Sequence, residues 1–390
     1  MNILMLNHNV KERSTYFRAM GLARQIVRKD NHVTIMTISP HQRFRGTYSR
    51  VDGVDVIETP DLFTGPLRTG WDLWDTVWRM IKGHRLPHVD IVHAFDNRPA
   101  VILPSLYISR LHGARLCSDW ADWWGRGGVI EAKRPKLVKI LFGGVETFFE
   151  EHFRTYASAV TVTSKALRSR AIDLGIQPDR VFYIPSGADT ERIRPMARED
   201  ARSTLNLPQH VPIIEYMGFV QYDIDLAIRA FKVVHDELPD ARFLLVGPVG
   251  KRVEHIVNEL ELRENVIFTG IQPSSAMAHW LAAADVLLLP YQDTIYNRGR
   301  GPIKLGDYLA SGRPVVTNPV GDLGELFARE KIGFLAGESP LEFAHKILIL
   351  LRDKELAQVM GRNARTVAET SENWERYGSR LLGLYQSLIP

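Results

Sequence analysis

Cysteine is almost missing from this chain. One residue in 390, Cys117, excludes an internal disulfide, so an apolar core must hold the fold, and a reducing compartment suits it. Long apolar runs are missing too; none approaches the roughly 20 residues of a transmembrane helix. Neither sign of charge dominates, with 49 Lys and Arg against 45 Asp and Glu, a net charge of +4. That mild basicity, with a pI near 9.0, suits an anionic ligand or an anionic membrane surface and gives little reason to expect nucleic acid. No His/Cys cluster has zinc spacing. The first residues, MNILMLNHNVKER, show no basic leader before an apolar run. They read as a first strand, not a signal peptide, and a cytoplasmic protein is expected.

What is present is the composition of a globular protein, 45% hydrophobic and 24% charged, in a chain long enough for two cores. Strand-like and helix-like segments alternate throughout, as in parallel sheets covered by helices. In the first half strands are expected at 2–6, 33–38, 90–95, 114–120, 159–164 and 181–185. In the second half they are expected at 212–217, 242–247, 265–270, 285–290, 314–318 and 333–336. Helical periodicity fills the intervals, as at 225–238 and 340–353. Two doubly wound units therefore follow one another, joined between Pro185 and Pro208. With two such sheets, the cleft between them is the default ligand site.

The most informative stretch is RGRGPIKLGDYLASGRPVV, Arg298 to Val316. It reads as a glycine-flexible basic loop, a short helix and a buried strand. Gly299 and Gly301 permit close backbone approach to a ligand. Pro302 suits the first helical position. The free N–H groups of the helix start favour phosphate, and Arg298, Arg300 and Lys304 add full positive charge. Lys304 and Asp307, three apart, share a helical face. A cation for a diphosphate beside a carboxylate for a ribose diol is the pairing that a nucleotide sugar requires.

Several ordered segments of the second half resemble the retaining GT-B glycosyltransferases of family 4. They are IPSGADTERIRP (184–195), YMGFVQYDIDLAIRAF (216–231), FLLVGPVG (243–250), VIFTGIQP (266–273), AAADVLLLPY (282–291) and KLGDYLASGRPVVTNPVG (304–321). The likeness covers about 200 residues well and the first half only generically. It implies an α/β GT-B fold of two Rossmann-like, doubly wound domains facing a central cleft. Residues 1–185 would bind the acceptor and 186–372 the donor, and the helix in 373–390 would return to the first domain. It further implies sugar transfer from a nucleotide donor with retention, without an essential metal or any cofactor besides the donor. The acceptor would be a glycan or a lipid-linked hydroxyl. A sugar-nucleotide epimerase, a phosphorylase and a non-catalytic binding or scaffold subunit are the alternatives.

On this resemblance Asp307 takes the place of a family glutamate that holds the ribose. Gly299 stands where the family often has the first glutamate of the motif, near the sugar. Phe219 and Tyr222 stand where it often has Arg and Lys for the diphosphate, so Arg298, Arg300 and Lys304 would substitute, with Arg300 and Lys304 stabilising the leaving group. The backbone at Gly218, Gly247, Gly301, Pro302 and Ile303, together with Ile271, would complete the donor site.

On the acceptor side His8, Arg18 and Asp96 are candidates. Asp119 or Asp122, in SDWADWW after a strand, would orient or deprotonate an acceptor hydroxyl. Ser14 is a candidate helix cap, and His93 reads as structural. Asp223 and Asp225 have the spacing of a metal motif from another transferase fold but sit at a helix start, where acids serve the dipole. Asp52 and Asp55 read as a turn. Finally, 71–88, with Trp71, Trp74 and Trp78 at helical spacing, and 134–153 are apolar and basic stretches. They read either as core-packed helices or as peripheral contacts with the inner face of a membrane.

Overall fold

The computed structural model describes residues 1–218 and 223–389. Phe219 and Tyr222 lie outside the described residues. The chain divides into two compact units. The first comprises Met1–Gly187, Arg298–Gly301 and Trp374–Pro390; the second comprises Ala188–Asn297 and Pro302–Asn373.

The first unit carries β1 (Asn2–Val10), β2 (His32–Ile38), β3 (Thr47–Val51), β4 (Val54–Thr59), β5 (Ile91–Phe95), β6 (Arg115–Trp120), β7 (Ala159–Val162) and β8 (Val181–Tyr183). Their order in the sheet is β3-β4-β2-β1-β5-β6-β7-β8. The central strands are aliphatic runs buried on both faces, as parallel strands under helices must be. Two strands, β3 and β4, were not expected. They form an antiparallel hairpin at the sheet edge, and the turn between them holds Asp52 at φ 51°. TYSRV is largely solvent-facing and so lacks the apolar run that marks the buried strands. Asp55 lies in β4, not in the turn.

The second unit carries β9 (Ile213–Met217), β10 (Arg242–Val246), β11 (Val266–Gly270), β12 (Val286–Leu289), β13 (Val315–Thr317) and β14 (Gly333–Leu335). The order is β11-β10-β9-β12-β13-β14, all parallel. This is the doubly wound order whose direction reverses beside the first strand. The reversal falls between β9 and β12 here, and between β1 and β5 in the first unit. A ligand is therefore favoured outside the carboxyl ends of β9 and of β1.

One helix start differs from expectation. Ser14 has φ 43° and its side chain caps nothing; instead Asn9 Oδ1 accepts from Thr15 N at 3.0 Å. Asp72 caps the Leu73–His84 helix through Trp74 N and also accepts from Leu62 N at 2.7 Å. On that helix Leu73, Trp74, Val77 and Ile81 are the exposed members, whereas Trp78, and Trp71 two residues before the helix, are half-buried.

The Trp374–Leu388 helix belongs to the first unit, where Trp374, Tyr377, Leu381, Leu384 and Tyr385 join the core around β1. Tyr385 hydroxyl meets His93 Nδ1 at 2.6 Å, while Thr161 Oγ1 lies 3.2 Å from Nε2. Burial pulls His93 down to about 4, so it is neutral and structural. A methyl group at Gly383 on this helix would meet no atom within 4 Å. Gly383→Ala is therefore expected to stabilise the protein by about 0.5–1 kcal/mol, read as a raised urea midpoint.

Candidate functional site

In the second unit the site is built at the carboxyl ends of β9, β10 and β11, which finish in Gly218, Gly247 and Gly270. Gly218 N donates to Val246 O at 2.9 Å, and Gly247 N to Gly270 O at 3.0 Å. A Cβ at Gly247, where φ is 130°, would meet Gly218 O at 2.4 Å. Only glycine allows the three strand ends to lie this close. Ile271, just beyond, is 60% exposed.

The Ile303–Ser311 helix faces these strand ends. Leu305, Tyr308 and Leu309, at i, i+3 and i+4, are buried and hold it to the sheet. Tyr308 hydroxyl accepts from Met217 N at 2.9 Å, fixing the helix to the end of β9. Pro302 is the residue just before the first turn rather than within it.

On the other side of the helix, Lys304 Nζ donates to Tyr216 hydroxyl at 3.0 Å and lies 4.2 Å from the centre of that ring. A Cβ at Gly218 would fall 2.5 Å from the same ammonium. The ammonium is thus held at the glycine turn. Asp307 is half-buried; burial first, then the Asp189 carboxylate, raises it to about 7. Sequence reasoning missed both partners. Tyr216 was visible only as an aromatic two residues before the turn, and Asp189 is 118 positions from Asp307.

Arg298 and Arg300 belong to the first unit and Lys304 to the second. Residues Arg298–Gly301 pack with the first unit. There Ser164 Oγ donates to Gly299 O at 3.1 Å, and a Cβ at Gly301 would meet Thr163 Cβ at 2.7 Å. Arg300 Nε lies 3.5 Å from Asp122 Oδ1. Burial raises Asp122 above its ordinary carboxylate value, and Arg300 opposes that. Two candidates expected to be separate are therefore an ion pair with the carboxylate still one-third exposed.

Asp119 is a correction. It is wholly buried, and Arg18 grips it with Nε at 2.9 Å and Nη2 at 2.8 Å, while Thr161 Oγ1 donates at 2.6 Å. Burial opposes its ionisation, but Arg18 outweighs this and holds it below the ordinary value. With no exposure and both oxygens engaged, it has no route to an acceptor hydroxyl. Arg18 is likewise buried and also donates to Ile184 O at 2.7 Å. It braces the sheet instead of facing a ligand.

His8 and Asp96 come together at the reversal between β1 and β5, with His8 Nδ1 3.3 Å from Asp96 Oδ2. Burial lowers His8 and raises Asp96, with Arg98 the next influence on each. Asp96 holds φ 87°, a conformation that costs a non-glycine residue about 1–3 kcal/mol and collects at functional sites. Its own Oδ1 accepts from Asn97 N at 3.0 Å, which offsets part of that strain.

Asp223 accepts from Asn297 Nδ2 at 2.7 Å, and Asp225 pairs with Arg252. They are engaged with protein groups, and among the described residues no three His, Cys, Asp or Glu side chains are placed to share a metal ion.

The fold and these clusters have counterparts. The family model for group 1 glycosyl transferases matches residues 197–367, and that for a glycosyl transferase 4-like domain matches residues 17–187. Residues 197–367 thus carry a group 1 glycosyl transferase domain and residues 17–187 a glycosyl transferase 4-like domain. It is 29% identical over 226 residues to the D-inositol 3-phosphate glycosyltransferase of Corynebacterium glutamicum, covering 54% of this chain and 53% of that protein. The chain thus spans about half the length of the curated relative it matches.

Solved structures agree in fold over nearly the whole chain. Sucrose-phosphate synthase from Thermosynechococcus elongatus superposes with a TM-score of 0.80 at 19% identity, covering 99% of this chain and 98% of that one. The Anabaena HepE protein, solved with UDP and glucose, gives 0.73 at 15% identity, covering 99% and 100%. The fold is GT-B: α/β, with two Rossmann-like units.

Proposed function

We propose that this chain is a hexosyltransferase-type enzyme (EC 2.4) that moves a sugar from a nucleotide-sugar donor to a hydroxyl of a glycan or lipid-linked acceptor. Transfer proceeds with retained configuration and without a metal. The carrying observation is the Lys304 ammonium, held over Tyr216 at the glycine turn that ends β9. A fixed ammonium there supplies the counter-charge for a diphosphate that a metal would otherwise supply.

In this reading the second unit binds the donor through Gly218, Gly247, Ile271, Pro302, Ile303, Lys304 and Asp307. Arg298, Arg300 and Gly301 are further donor-binding candidates. Asp307 accepts the ribose hydroxyls and is no nucleophile. The donor's own phosphate takes the acceptor proton as the acceptor attacks from the same face. The first unit holds the acceptor through His8 and Asp96, and Asp122 orients its hydroxyl, Arg300 keeping that carboxylate in place. The enzyme works in the cytoplasm, in peripheral contact with the inner face of a membrane through residues 71–88 and 134–153. That HepE was solved with UDP and glucose supports a nucleotide-sugar donor.

The test is thermal stabilisation by UDP, GDP, dTDP, ADP and CMP, with and without magnesium. One diphosphate is expected to raise the melting temperature without magnesium, by the equivalent of about 2.7 kcal/mol at a hundredfold excess over Kd. Asp307→Ala should abolish the shift. Since Asp307 is raised to about 7, affinity should also climb between pH 6 and 8 as the carboxylate ionises and can accept the diol. A chain that no nucleotide stabilises would overturn the reading in favour of a non-catalytic subunit.

A further inference from the structure

The Lys136–Glu151 helix of the first unit has its polarity reversed. Its inward residues are carboxylates. Glu146 accepts from Arg98 Nη1 at 2.7 Å, and Glu150 accepts from Trp120 Nε1 at 3.0 Å and Trp124 N at 2.7 Å. Its outward residues are large and apolar: Leu137 is 68% exposed, Ile140 79%, Leu141 58%, Phe142 51% and Phe148 50%. A helix in water normally buries its apolar stripe, and a contiguous exposed patch marks a surface that meets another apolar phase.

A second apolar face lies on the Leu73–His84 helix. Trp71, two residues before it, packs edge-on against Phe149 at 5.7 Å. That helix exposes Leu73, Val77 and Ile81, which recur every four residues along one face. Charge indicates what covers this surface. Arg134, Lys136 and Lys139 lead into the apolar face, and no Asp or Glu occurs between Arg134 and Val145. Lys82, His84 and Arg85 end the other helix. Large apolar side chains flanked by cations are the pattern of a helix lying in a bilayer interface, its cations among anionic headgroups. Among the described residues no helix is long and apolar enough to cross a membrane.

We propose that the Lys136–Glu151 helix, flanked by the outer face of Leu73–His84, is the surface that docks this chain on an anionic lipid bilayer. This deepens the peripheral contact of the proposed function and rests on it. Its test reads binding without turnover.

The full chain is floated with vesicles of phosphatidylcholine alone, or with about 30% phosphatidylglycerol. It should float with the anionic vesicles only, and less at higher salt. Arg134→Ala, Lys136→Ala and Lys139→Ala together should weaken partitioning about a hundredfold, at about fivefold per cation. Leu137→Ser, Ile140→Ser and Phe142→Ser together should weaken it at least about tenfold. Of these side chains only Lys139 is half-buried and the rest are exposed, so the melting temperature should hold.

Absence of flotation with anionic vesicles, or flotation indifferent to both variant sets, would overturn the proposal. So would self-association that the serine variant abolishes while vesicles remain unbound, because the face would then belong to a second copy. Nucleotide stabilisation measured on the same samples separates the outcomes: if it persists without flotation, docking alone fails.

Discussion

Asp119→Ala is expected to destabilise the protein by about 3–5 kcal/mol, because it leaves the buried Arg18 guanidinium without its counter-charge. Arg18 and Asp119 have side-chain exposures of 1% and 0%, so water cannot replace the lost partner. The damage extends further, since Thr161 Oγ1 loses its acceptor and Arg154 Nη1, which donates to Asp119 O at 2.6 Å, borders the gap. Domains commonly have only about 5–15 kcal/mol of net stability, so poor yield of folded protein should result. Urea unfolding checks it, and an unchanged midpoint would refute the structural role. Replacing both partners with apolar residues of similar size should restore much of the loss, since removing the pair removes its desolvation penalty too.

The pH dependence follows from the same pair. Asp119 is held below its ordinary value in the folded protein. Its contribution is therefore fully present above the ordinary carboxylate range and is lost as pH falls through the depressed folded value. Asp119→Asn should flatten that acid limb of the stability curve, read as urea midpoints against pH.

The second large effect concerns the proposed chemistry. Lys304→Ala is expected to lower kcat/KM by about 10²–10³, the scale of losing one preorganised group that stabilises developing charge. The loss should fall mainly on kcat, because the diphosphate gains charge as it leaves. Lys304→Arg should rescue only in part. The ammonium occupies a narrow position between the Tyr216 ring and the turn, where even a Cβ at Gly218 would be 2.5 Å away, and a planar guanidinium is wider. Steady-state kinetics with the stabilising donor decide it. Activity of the alanine variant within threefold of wild type would remove Lys304 from the site.

Much of the fold was legible because its signals are local. The six described strands of the second unit fall where short, mostly aliphatic runs end in glycine, proline or a polar turn, since the inner strands of a helix-covered parallel sheet are buried on both faces. The donor helix was legible for a similar reason: Leu305, Tyr308 and Leu309 repeat at helical spacing, and a basic glycine loop precedes them. The β3–β4 hairpin was not legible. An edge strand half in water carries no continuous apolar run, and TYSRV resembles a loop.

The site divides along the same line. Sequence alone determined that Lys304 and Asp307 share a helix beginning beside a strand end, since that depends only on positions three apart. It could not separate Asp119 from Asp122. Both are acids in SDWADWW, yet one is sealed against Arg18, 101 residues away, and the other reaches Arg300. Nor could it assign Arg298 and Arg300 to a different unit from Lys304, or turn Glu146 and Glu150 inward and Ile140 and Phe142 outward. Those outcomes depend on which distant side chains arrive to neutralise a buried charge. Charge burial is tolerated only with a partner, so where each of these ionisable residues lies was decided by the tertiary structure.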